Sequence, residues 1–76
     1  MRTVKRRLRF QNNLAAAEFR QGKLDDAITL YRRAIAADPN SALAHRGLGD
    51  ALLAAGNAPD AADEYQRARA LSGENR

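Results

Sequence analysis

The sequence of 76 residues has no cysteine, no tryptophan, only two prolines and an aromatic share of 5%. Without cysteine the chain has neither a disulfide staple nor a thiolate metal site. A domain this short must then draw its stability from packing or association, and nothing in it calls for an oxidising compartment. Branched aliphatics are nearly missing as well, since Val4, Ile28 and Ile35 are the whole supply of valine and isoleucine. That is too little strand-forming material for a sheet. No apolar run approaches the roughly 18 residues of a membrane span. The basic start could open an export signal, but Arg9, Gln11, Asn12 and Asn13 interrupt it before an apolar core accumulates, so a cytoplasmic location is expected.

What the chain has in quantity is alanine. Hydrophobic residues make up 45% of it, and 17 of them are alanine, the strongest intrinsic helix former. The length allows one small domain that buries about 60% of its unfolded surface. These properties favour an all-α fold of closely packed helices. The net charge of +4 is local: Arg2, Lys5, Arg6, Arg7 and Arg9 precede any acid, whereas from Phe10 onward eight basic residues face nine acidic ones. Residues 1–7 read as a basic extension that continues into the first helix.

Sliding the sequence along itself produces one register, an offset of 34 residues. In that register Leu14 meets Leu48, Gly22 meets Gly56, Asp26 meets Asp60, Tyr31 meets Tyr65 and Arg33 meets Arg67. Four alanine pairs complete the set, from Ala17 with Ala51 to Ala36 with Ala70. The glycine and tyrosine pairs carry the weight. Each glycine comes after an alanine-rich run, where a helix end favours a left-handed residue. Asp25 and Asp26 suit the first turn of the next helix, and Asn57 and Pro59 suit another such start. Pro39 disfavours helix at Asp38, and Ser41 or Asn40 can cap the third helix. The pattern predicts helices over about 4–21, 24–37, 42–55 and 58–71. Ala27, Tyr31, Ala34 and Ile35, then Ala61, Tyr65 and Ala68, form an apolar stripe on each second helix. Ala15 and Gly49 are small enough to let the paired helices approach closely, and the two tyrosines are expected in the wedge between hairpins.

Leu14-Ala15, Phe19, Gly22, Leu24, Ala27, Tyr31, Ala34 and Pro39, followed by Leu48-Gly49, Leu53, Gly56, Ala61, Tyr65 and Ala68, resemble the tetratricopeptide-repeat consensus over about residues 8 to 75. The chain departs from that consensus where Gln11 and His45 stand in a place often held by tryptophan, and where Gly73 takes the position of Pro39. The resemblance implies two helix–turn–helix repeats, 8–41 and 42–75, stacked as a short right-handed solenoid. In the second repeat Leu30, Ile35 and Ile28 become Glu64, Arg69 and Ala62, so that unit reads as polar and terminal. Repeat arrays generally need three or more units. Self-association through Leu8, Phe10, Leu14 and the last hairpin, or membership of a longer array, is therefore expected.

Catalytic constellations are missing. His45 is the one histidine, and Ser41, four residues before it, reads as a helix cap rather than a nucleophile. His45 itself reads as a packed aromatic substitute. Asp60, Asp63 and Glu64 read as a solvated helix start without a loop to wrap a cation. Gly47-Leu48-Gly49 lacks the strand and lysine of a phosphate loop. No cofactor and no enzymatic activity are expected.

A helical wheel sets Val4, Leu8, Phe10, Leu14, Ala15, Ala17 and Phe19 on one side of the first helix, with Arg2, Lys5, Arg6, Arg9, Asn13, Ala16 and Arg20 on the other. The resemblance implies that the first helix of each hairpin lines a concave surface that holds peptide segments. The matching positions are Arg9, Asn12, Ala16, Phe19 and Arg20, then Leu43, Arg46, Asp50, Leu53 and Ala54. The expected function is a non-catalytic protein–protein interaction module or scaffold that binds an acidic peptide segment there. Arg9, Arg20 and Arg46 would pair carboxylates, and Phe19 and Leu53 would supply apolar contact. The carboxylate clamp known in the family uses lysine and asparagine where this chain has Asn12 and Ala16, and asparagine where it has Gly47, so chaperone-tail binding is not expected. The alternatives are a self-associating structural module, or attachment to an anionic polymer or membrane surface through the basic start. Nucleic acid is not an expected partner, because no aromatic is interleaved in residues 1–9 to stack on bases.

Overall fold

A computed structural model of the chain describes residues 2–73, with side chains from Gln11 to Gly73. It has four helices: α1 (Arg2–Arg20), α2 (Leu24–Ala37), α3 (Ala42–Ala54) and α4 (Ala58–Ser72). No strand occurs among the described residues. Helix ends fall within two residues of the sequence expectation, and α1 starts early enough to take in most of the basic segment.

The breakers act as their chemistry requires. Gly22 and Gly56 have φ of 81° and 90°, a left-handed conformation in which a Cβ is strained. Around each glycine the backbone closes in the same way. Lys23 N–H donates to the Glu18 carbonyl at 2.9 Å and Gly22 N–H to that of Phe19 at 3.0 Å. Asn57 donates to Leu52 and Gly56 to Leu53 at the same two distances. This is the Schellman closure, which satisfies carbonyls that a helix end would leave open. Ser41 Oγ accepts from Ala44 N–H at 3.2 Å, and Asn57 Oδ1 from Asp60 N–H at 3.3 Å, so both expected caps form. Lys23 starts α2 without a side-chain cap, leaving Asp25 and Asp26 to offset the helix dipole in the first turn. Asp38 is extended ahead of Pro39, as a residue before proline prefers.

The short connections fold α1 against α2 and α3 against α4, α2 packs on α3, and α1 also reaches α3. The result is a slab of 36 × 33 × 16 Å made of two stacked helical hairpins. Its interior is mostly alanine: Ala15, Ala27, Ala34, Ala44, Ala51, Ala61 and Ala68 are buried, with Tyr31, Leu48 and Leu52 as the larger buried apolar side chains. Small side chains bring the helix axes close together, but each methyl contributes under about 1 kcal/mol of burial. Cohesion therefore depends on contact spread over many positions.

Candidate functional site

Tyr31 projects from α2 onto α3, where it is only 6% exposed. Its ring lies against Gly47, so close that a Cβ built on that glycine would overlap the ring carbons. Glycine inside a helix costs about 0.5–1 kcal/mol relative to alanine, and here it makes room for an aromatic side chain from the neighbouring hairpin. Tyr65 occupies the same place in the second repeat and behaves differently. No hairpin covers it among the described residues, it remains half-buried, and it leans onto Gly49 of its own hairpin, where a Cβ would come within 2.9 Å of the ring. Only Tyr31 fills a wedge between hairpins. The close approach at Gly49 admits the Tyr65 ring.

The Tyr65 hydroxyl donates to Asp50 Oδ1 at 2.5 Å. That hydrogen bond, with some burial and the negative charge of Asp50, pushes the Tyr65 phenol up to about 12, against a smaller opposing pull from Arg46. Burial raises Tyr31 as well, with Asp50 adding to the rise and Arg20 opposing it. Asp50 therefore acts on both tyrosines, with Arg20 near one and Arg46 near the other. Neither arginine makes an ion pair or hydrogen bond among the described residues, and both side chains are exposed.

His45 is buried at 5% exposure. Its ring is hydrogen-bonded through Nδ1 with Glu64 Oε1 at 2.6 Å, and Nε2 donates to the Pro39 carbonyl, which can only accept, at 2.8 Å. It ties α3 to α4 and to the loop between the hairpins. Glu64 is thus turned inward and also receives Arg67 at 3.3 Å, while Asp60 is engaged by its cap partner Asn57 at 2.8 Å. Among the described residues no group of three histidine, cysteine, aspartate or glutamate side chains is placed to hold a metal ion.

The expected groove residues fall into distinct settings. Arg20, Arg46, Asp50, Leu53 and Ala54 are exposed, and Ala16 is half-buried. Phe19 is half-buried and packs against the core cluster, so only part of its ring can meet a ligand. Asn12 is 7% exposed and its Oδ1 is buried with no hydrogen-bond partner. Leu43 and Arg46 share a groove with Tyr65, Ala68 and Arg69 of α4. The side chain of Arg9 lies outside the described residues, as do those of Leu8 and Phe10. Sequence reasoning missed the Tyr65 hydroxyl, since it assigns that residue to packing alone. It also missed the role of Gly47, although a glycine in the interior of an alanine-rich helix is itself a signal of close approach.

Two hairpins in a 34-residue register, closed by paired glycines and joined by a tyrosine on a glycine, define a helical-repeat protein. The profile of the tetratricopeptide repeat matches residues 6–75, and the chain belongs to that family. No curated protein matches the chain. Tetratricopeptide repeats are in general non-catalytic modules of protein–protein interaction, and membership points to that class here. No helix among the described residues is long and apolar enough to cross a membrane.

Proposed function

We propose that the chain is a non-catalytic interaction module whose α1–α3 surface binds an acidic protein segment. The observation behind this reading is the pair of exposed guanidinium groups of Arg20 and Arg46, which make no ion pair or hydrogen bond among the described residues, together with an Asp50 whose carboxylate already accepts the Tyr65 hydroxyl. An arginine without an internal partner can pair a ligand carboxylate in the two-pronged geometry that favours this residue over lysine. Leu53, which is 53% exposed, and the outer edge of Phe19 supply apolar contact. In this reading residues 8–41 and 42–75 are the two repeats that build the surface.

Fluorescence anisotropy with labelled acidic, neutral and basic peptides tests the assignment. Acidic peptides should bind best, and Arg20→Glu and Arg46→Glu should each weaken them by about tenfold, which corresponds to about 1.4 kcal/mol. Unchanged affinity in both variants would reject it.

A further inference from the structure

We propose that the groove between α3 and α4, floored by Tyr65 and Ala68 and flanked by Arg46 and Arg69, docks an acidic amphipathic helix of a partner protein, seated as α3 is seated on α2. The groove encloses about 440 Å³ and is also lined by Leu43.

The chain itself shows what fills such a groove. Shifted back by 34 residues, Arg46, Tyr65, Ala68 and Arg69 become Asn12, Tyr31, Ala34 and Ile35. In that first repeat α3 covers the α2 face, and Tyr31 and Ala34 are 6% and 0% exposed. At the end groove no described residue provides that cover. Ala68 is already 6% exposed, but Tyr65 stays half-buried and Leu43 is 61% exposed, a large aliphatic side chain beside an aromatic ring with no apolar partner above it among the described residues. A helix laid in an apolar groove is the occupant that α3 exemplifies.

Charge decides which helix. Ile35 and Asn12 are replaced by Arg69 and Arg46, two cations, and no carboxylate lines this groove among the described residues. A helix with small or aliphatic residues over Tyr65 and Ala68 and carboxylates along both edges would complement it. A second copy offering α1 is a poor fit. Asn13 stands at the register of Gly47, where the internal contact leaves no room for a Cβ. In addition, Arg2, Lys5, Arg6, Arg7 and Arg9 would bring positive charge toward Arg46 and Arg69.

The inference rests on the reading of the chain as an interaction module; its groove shares Arg46 with the α1–α3 surface, and Arg20, which belongs to that surface alone, separates the two. The probe is a lactam-stapled amphipathic helix with alanine and leucine on one face and glutamate along both edges, titrated into the full chain and followed by NMR. Shifts should concentrate in residues 42–46 and 65–72. Leu43→Asp and Arg69→Glu, both at exposed positions that leave the core intact, should each weaken binding about tenfold or more, and Arg20→Glu should leave it unchanged. A stapled control with lysine replacing glutamate should not bind. The proposal is overturned if the acidic helix fails to bind, or if its affinity survives Leu43→Asp and Arg69→Glu. It is equally overturned if sedimentation shows a concentration-dependent dimer that these two substitutions abolish, which would make a second copy the occupant. Loss of binding only with Arg20→Glu would place the helix on the α1–α3 surface, supporting the acidic-segment reading of that surface at the expense of this one.

Discussion

Tyr31 and Tyr65 share a position in the repeat, yet their surroundings give them different work. Tyr31 packs between hairpins, whereas Tyr65 hands its hydroxyl proton toward Asp50. A phenol that donates to a carboxylate resists ionisation, because the anion would lose the bond and face a like charge. The Tyr65 value of about 12 against an ordinary 10.0 has a definite consequence. Since the folded value lies above the unfolded one, the stabilising contribution is fully present below about pH 10 and is lost as pH rises through the folded value near 12. Stability should decline across that window. Ultraviolet titration of the phenols should show Tyr65 ionising late, and Asp50→Asn should return it toward the usual range. A Tyr65 titration that is unmoved by Asp50→Asn would remove the hydrogen bond as the cause.

At the scale of the helix, the repeat register exposes an asymmetry inside the hairpins. His45 and Glu64 are hydrogen-bonded partners across α3 and α4, and their counterparts across α1 and α2 are Gln11 and Leu30. Leucine offers Gln11 no donor, and Gln11 Oε1 is buried without a partner. One hairpin therefore has a satisfied polar link where the other has an orphaned acceptor, which costs roughly 1–3 kcal/mol when desolvated. Gln11→Met, similar in volume and without the amide, should raise stability by about 1 kcal/mol in urea denaturation. His45→Met should lower it by about 2 kcal/mol, because Glu64 and the Pro39 carbonyl lose their hydrogen-bond partner. A Gln11→Met variant less stable than the parent chain would show that this amide is paired. The four helices were legible from alanine content and breakers. This cross-helix chemistry was not, because a 34-residue register shows which positions correspond but not which of them face each other.

For the molecule as a whole, the seam between hairpins is the sensitive place. The chain is thin, its core is largely methyl groups, and Tyr31 on Gly47 is the large contact that joins one hairpin to the next. Gly47→Ala should destabilise by about 1–3 kcal/mol despite the better helix propensity of alanine, because the Tyr31 ring or α3 must move. At Gly49 the added methyl meets the edge of the half-exposed Tyr65 ring, which can swing outward, so Gly49→Ala should cost clearly less. Thermal melts of the two variants side by side test the contrast, and equal midpoints would show that the seam is not special. A domain of this size has only about 4–11 kcal/mol of stability to lose, so the Gly47 effect should be plain.

The helical class, the number and approximate limits of the helices, the turn glycines and the family were determined by the sequence alone, because local propensity and a repeated register act over short distances along the chain. The groove positions were legible only as a surface, with Leu43 and Arg46 assigned to the concave side. Tertiary structure decided that these two residues also face α4, that Glu64 turns inward to His45, and that Asp50 is held by Tyr65. Each of these depends on how side chains from different helices meet once the hairpins have stacked, and that meeting is set by packing between segments distant in sequence rather than by the order of residues along any one of them.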